Sequence, residues 1–112
     1  MPRYAIFFRL KGETVAKAME NPTDRSAVVS KLCQDAGGRM ESYYWMFGEW
    51  DGFAVLELPD SATAAALALA VSSTGTFAQL ATHELIGVDQ INQTLARAKE
   101  FRGRYQPIGE AR

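Results

Sequence analysis

Cysteine and histidine are almost missing from this sequence, in which Cys33 and His83 are the only residues of their types. A single cysteine excludes an intrachain disulfide, and one cysteine with one histidine cannot supply the ligands of a structural zinc site. We therefore expect no metal and no cofactor. Cys33 falls within an apolar stripe of helical spacing, so we interpret it as a small core residue rather than a reactive thiol.

An excess of charge of either sign is also missing. The 112 residues carry 12 Lys and Arg against 13 Asp and Glu, and the net charge is -1. Nucleic-acid-binding domains usually have a basic excess, so we expect no nucleic-acid partner. Apolar runs approaching the roughly 20 residues of a membrane span are absent, as is a secretory signal pattern at the start, so we expect no membrane contact and a cytoplasmic location.

What the sequence does contain is a stretch of strand-forming aromatic residues at 39–58, folded back on itself at the turn 48–51. Bulky side chains occupy consecutive positions from Tyr43 to Phe47, so both faces of the resulting sheet would be apolar. One face can pack against the chain's own helices. The other needs a second cover, which predicts association with a second copy.

The remaining segments alternate between strand and helix signals. A strand is predicted at 3–10, a helix whose N-cap is Asn21 and whose end is Gly37-Gly38, a helix at 61–74 capped by Asp60 or Ser61, a strand at 76–86 and a last helix capped by Asp89. We predict an α+β, ferredoxin-like βαββαβ fold with an antiparallel sheet in the order 4-1-3-2, both main helices on one face, and a C-terminal helix. A single domain is expected at 1–101, followed by a tail at 102–112.

Several segments resemble the GYD domain family, and the likeness covers most of residues 3–98. The matching stretches are 37–44, 47–51, 58–60 and 64–70. The family's glycine, tyrosine and aspartate correspond to Gly48, Trp50 and Asp51, so tryptophan replaces the tyrosine and its hydroxyl. The resemblance implies a dimeric α/β barrel, a group that includes cofactor-free monooxygenases, isomerases and ligand-sensing modules. It implies no specific reaction for this chain.

Two functions remain open at this stage. The first is a homo-oligomeric module that binds a small apolar or aromatic molecule between its sheet and a partner. The second is a cofactor-independent enzyme, monooxygenase-like or isomerase-like, with His83 as the candidate catalytic base because it is the only imidazole. Since His83 and Glu84 are adjacent on a strand, they should point to opposite faces and not form a dyad. The expected ligand-binding residues are Arg9, Tyr43, Trp45, Trp50 and His83.

Overall fold

The computed structural model describes residues 1–110 and shows four strands and four helices. The strands are β1 (Arg3–Leu10), β2 (Arg39–Trp45), β3 (Gly52–Glu57) and β4 (Phe77–Glu84). The helices are α1 (Gly12–Glu20), α2 (Arg25–Asp35), α3 (Ser61–Ser72) and α4 (Ile91–Arg104). The predicted strand and helix order is therefore confirmed, with α1 as a helix of nine residues in front of α2.

The four strands form one antiparallel sheet in the order β2-β3-β1-β4. This is the predicted order 4-1-3-2 counted from the opposite edge. Strands β2 and β3 are joined by the short loop 46–51, so they pair as a hairpin, whereas β1 lies between β3 and β4. The arrangement is the ferredoxin-like α+β fold expected from the sequence.

The hydrophobic core lies between the sheet and helices α2 and α3. Side chains two residues apart on a strand share a face, and Tyr4 and Phe8 of β1 join Ala54 and Leu56 of β3 on the buried one. Cys33 of α2 and Ala64 of α3 pack against them. We call this side of the sheet the helix face and the opposite side the open face.

Both core helices begin at an aspartate whose carboxylate accepts hydrogen bonds from the first-turn N–H groups. Asp24 accepts from the N–H of Ser26 at 3.0 Å, and Asp60 accepts from the N–H of Thr63 at 2.8 Å. Hydrogen bonds lower the pKa of both carboxyls. The main cause is the bond from the Ser26 hydroxyl in Asp24 and the bond from the Thr63 N–H in Asp60. The prediction of an Asn21 cap is therefore wrong. Asn21 instead ends α1, and its N–H donates to a carbonyl of that helix.

Helix α4 extends away from the sheet and the core helices. The molecule, with α4 included, measures 62 × 32 × 24 Å. Every residue of α4 except Ile91 is exposed, including Leu95 and Phe101 of its apolar side. Asp89 does not cap this helix, contrary to the prediction, because Gln90 occupies the cap position without a side-chain bond. The boundary expected between 101 and 102 falls inside α4, and positions 111 and 112 of the predicted tail lie outside the described residues.

None of the helices in the described part of the chain is long and apolar enough to cross a lipid bilayer.

Candidate functional site

The open face carries a row of aromatic side chains across three strands and the hairpin loop. The ring of Tyr44 (β2) stacks on Phe53 (β3) at 5.6 Å, and Phe53 stacks on Phe7 (β1) at 5.5 Å. Phe7 also contacts Trp50 of the loop, with ring centroids 5.9 Å apart. We call these four residues the aromatic strip. Tyr44 is 60% exposed, so the strip presents apolar surface to its surroundings.

Two polar side chains border the aromatic strip. The guanidinium of Arg9 lies over the Trp50 ring, 5.4 Å from its centroid, and its Nε donates a hydrogen bond of 2.7 Å to the carbonyl of Glu49. The exposed ring of His83 on β4 contacts Phe7 edge-on, with centroids 5.9 Å apart. A cation on an aromatic face and an imidazole beside an aromatic edge give the strip a hydrogen-bonding group on each of two sides.

The hairpin loop is fixed to the sheet by Asp51. Its Oδ2 accepts a hydrogen bond of 2.7 Å from the N–H of Leu10, at the irregular end of β1. The backbone N–H of Asp51 donates to the carbonyl of Phe8, and its carbonyl accepts from the N–H of Met46, each at 2.8 Å. Asp51 thus holds the ends of β1 and β2 together and sets the position of the neighbouring Trp50.

An ion network occupies the other end of the open face. Glu57 of β3 accepts hydrogen bonds from Arg39 at 2.8 Å and from Arg3 at 3.4 Å, and Arg3 also pairs with Glu41 at 2.9 Å. The hydrogen bond from Arg39 is the main reason that the pKa of Glu57 falls from its ordinary 4.5 to about 2. Two arginines and two glutamates make this end of the face electrically neutral.

The stabilisation of the folded state by the Glu57 carboxylate should be lost on acidification. A carboxyl whose pKa is lower in the folded state stabilises the fold above its unfolded pKa, and loses that contribution as the pH falls through the folded value. The melting temperature of wild type should therefore exceed that of Glu57→Gln at pH 7, and the difference should disappear between pH 4.5 and 2. Thermal melts followed by circular dichroism measure this. Glu20→Gln on α1 is the control and should track wild type, whereas a pH-independent difference for Glu57→Gln would contradict the prediction.

The sequence model of the GYD domain family matches residues 4–95, which is most of the chain. The chain belongs to the GYD domain family. Searches of curated proteins and of solved structures find no match. The predicted resemblance is therefore confirmed, and the family match covers β2, β3, β4, helices α1, α2 and α3, and all of β1 except Arg3.

In this GYD domain the loop residues Gly48, Trp50 and Asp51 have separate structural roles. Gly48 has a φ of 121°, which residues with a side chain rarely adopt, so glycine permits the turn. Trp50 extends the aromatic strip beneath Arg9, and Asp51 fastens the loop to β1. Trp50 therefore offers a large aromatic ring and an indole N–H donor on the open face.

The GYD domain places the predicted ligand-binding residues on two different faces. Arg9, Trp50 and His83 lie together around Phe7 on the open face. Tyr43 and Trp45 lie on the helix face, where each ring contacts the buried Phe8, at 5.7 and 5.4 Å. The five residues consequently do not form one site. The open-face aromatics Phe7, Phe53 and Tyr44 were missing from the prediction, although Phe7 and Arg9 are two residues apart on the predicted strand 3–10 and therefore share a face.

The positions of Glu84 and Cys33 limit the chemistry in which these two residues can take part. Glu84 accepts a hydrogen bond of 3.2 Å from the Ser61 hydroxyl on the helix face, so it points away from His83 as predicted. Burial raises the pKa of Cys33, which keeps the thiol protonated within the core. Within residues 1–110, histidine, cysteine and carboxylate side chains form no cluster suited to a metal ion.

Replacing Asp51 tests its role in fastening the loop. Asp51→Ala leaves the part-buried N–H of Leu10 without its acceptor, so we expect the free energy of unfolding to fall by about 1 to 2 kcal/mol. Asp51→Asn retains an acceptor oxygen and should lose less. Urea unfolding measures the free energy of unfolding of each variant. Glu49→Ala in the same loop removes an exposed carboxylate and should be nearly neutral, and an equal loss in Glu49→Ala and Asp51→Ala would show that the bond to β1 is unimportant.

Proposed function

We propose that this GYD domain is a self-associating module in which the open faces of two copies pack against each other. The aromatic strip is the observation that carries the proposal. Tyr44, Phe53, Phe7 and Trp50 form continuous ring contacts on the side of the sheet opposite the core helices. Apolar surface buried between copies contributes roughly 25 cal/mol per Å2, part of which offsets the entropy lost on association.

The charges of the open face favour a second copy as the occupant. Beyond the strip lies the neutral network of Arg3, Arg39, Glu41 and Glu57, whose members already satisfy one another. A strongly acidic or basic partner gains little from such a face. A twofold axis through the strip places apolar surface against apolar surface and leaves neutral ends on both sides.

A small apolar or aromatic molecule is the ligand that we propose for the junction between sheet and partner. Trp50 offers a flat ring, while Arg9 and His83 offer polar contacts on either side of Phe7. Among the described residues, Arg9 donates its Nε–H to the Glu49 carbonyl, and one of its terminal nitrogens lies 4.0 Å from the exposed Glu49 carboxylate. Its other guanidinium N–H groups can donate to an anionic or carbonyl oxygen of a ligand. The combination suits a planar molecule with one polar substituent.

Light scattering after gel filtration tests self-association. The expected mass at micromolar concentration is twice 12.3 kDa or a higher multiple, and a single species of 12.3 kDa would refute the proposal. The ligand is tested separately in Trp45→Phe, where Trp50 is the only tryptophan. Addition of 1-naphthol should change its fluorescence, and Arg9→Met should weaken the response. An unchanged spectrum would remove the ligand from the proposal and leave the assembly.

A further inference from the structure

A concave region lies on the helix face, between α2 and α3. Val29 and Leu32 of α2, Leu67 and Val71 of α3, and Ile6 and Phe8 of the sheet surround a cavity of about 90 Å3. We call it the inner cleft. It is smaller than the cavity of about 150 Å3 that accommodates benzene in an engineered protein core. Its size therefore suits a narrow alkyl chain rather than a ring system.

Alanine in α3 leaves the inner cleft open. Ala64, one turn earlier in the helix, is buried and packs in the core against the sheet residues Ala54 and Leu56. Ala68 lines the cleft. A larger residue at position 68 would occupy part of the same space.

A larger and more polar outer cleft of about 310 Å3 lies next to the inner cleft. The two share Phe8, Tyr43, Phe77 and Arg25. The outer cleft adds Trp45 and several polar side chains, namely Thr14, Lys17, Asn21, Thr23 and Thr76. Burial raises the pKa of Tyr43 at the junction, so its phenol stays neutral at pH 7.

The charges that line the two clefts are of one sign. Arg25 and Lys17 are present, and no aspartate or glutamate of residues 1–110 lines either cleft. Neither cation belongs to the ion pairs that the described residues form with one another. An anion in the outer cleft would therefore meet two cations, while the carboxylate of Asp24, near Tyr43, accepts hydrogen bonds from the first turn of α2.

We infer that these clefts bind a free amphiphilic carboxylic acid, with its alkyl chain in the inner cleft and its carboxylate beside Arg25 and Lys17. The arrangement matches such a molecule because an apolar cavity and a cleft with two cations lie side by side and share Arg25 in their walls. The site is separate from the open face and does not depend on the assembly proposed above.

Octanoate is the probe for this inference. The two indole N–H signals in a ¹H–¹⁵N spectrum, assigned with Trp45→Phe and Trp50→Phe, report on the two faces independently. Octanoate should shift the Trp45 signal and leave that of Trp50 in place, because only Trp45 lines the outer cleft. Octan-1-ol, which lacks the charge, should bind at least tenfold more weakly. A shift confined to Trp50, or equal affinity for the alcohol, would overturn the inference.

Two variants separate the roles of charge and cavity. Arg25→Met should raise the dissociation constant of octanoate about tenfold by removing a charge-assisted hydrogen bond, while Lys99→Met on α4 should have no effect. Ala68→Phe should abolish binding by filling the inner cleft, with Ala66→Phe on the exposed side of α3 as its control. Should Ala68→Phe fail to fold, Arg25→Met decides, and unchanged affinity in that variant refutes the site.

A membrane lipid could present similar chemistry, and a separate arm distinguishes that source. Vesicles of phosphatidylglycerol should not sediment the protein, since the inner cleft admits one narrow chain of a free molecule. Sedimentation with vesicles together with a failure to bind octanoate would replace the free acid by a lipid surface and overturn the inference.

Discussion

Gly38→Ala is expected to reduce the free energy of unfolding by about 3 kcal/mol or more, enough to unfold a marginally stable domain of this size. A Cβ atom at position 38 would overlap the backbone carbonyl of Glu57 and lie 3.1 Å from the Cα of Leu58. Both neighbours are main-chain atoms of the segment that ends β3, and Leu58 is fully buried. They cannot move without separating β2 from β3 or displacing the core.

Urea unfolding of Gly38→Ala beside Gly12→Ala measures the effect. Gly12 is the first residue of α1, and a Cβ there would meet nothing within 4 Å, so its replacement should be neutral or slightly stabilising. The pair differs only in the space around the added methyl group, since neither glycine has a positive φ. Equal stability of the two variants would show that β2 can shift at its start.

The two glycines Gly37 and Gly38 differ in whether their structural roles can be predicted from the sequence. A helix end was predicted there because glycine adopts positive φ, and Gly37 does so at 85°. The reason for Gly38 is different, since it permits a close approach between segments about 20 residues apart in sequence. Local backbone preferences can be read from neighbouring residues, whereas a close approach depends on the packed structure. The fold could be predicted because its signals are local and repeated along the chain.

The face occupied by each side chain of β2 could not be predicted in this way. Strand parity becomes visible when apolar and polar residues alternate, but Tyr43, Tyr44 and Trp45 are all aromatic. Tyr44 belongs to the aromatic strip on the open face, and its two neighbours lie on the helix face. The pairing register also shifts between Met40 and Ser42, which changes the parity along the strand. The predicted site therefore combined residues from opposite sides of the sheet.

The helix ends were predicted with mixed success for a related physical reason. Asp60, one of the two predicted positions, caps α3, because Pro59 between the end of β3 and the helix leaves few other positions. Asn21 and Asp24 are both suitable caps, and the choice depends on where α1 ends, which the sequence between them does not determine. Helix α4 has an apolar side without a cover in a single chain, so its position cannot be deduced from its own residues.

Tyr44→Asp is expected to convert the self-associated GYD domain into a single chain. If the open faces pack together as proposed, residue 44 lies within the interface, where a carboxylate would lose its hydration without gaining a cationic partner. The dissociation constant of the assembly should rise about a hundredfold or more. The fold should persist, because Tyr44 is 60% exposed and its ring contact is confined to Phe53 among the aromatic pairs of the described chain.

Leu69→Asp is the matched control for this experiment. Leu69 is 71% exposed on α3, in the helix layer on the other side of the sheet, so the same charge placed there should leave the mass unchanged. Light scattering at several concentrations gives the dissociation constants, and circular dichroism verifies the fold of both variants. If Tyr44→Asp stays assembled while Leu69→Asp dissociates, the interface lies on the helix layer and the open face is free. If both dissociate equally, added negative charge rather than the aromatic strip controls assembly.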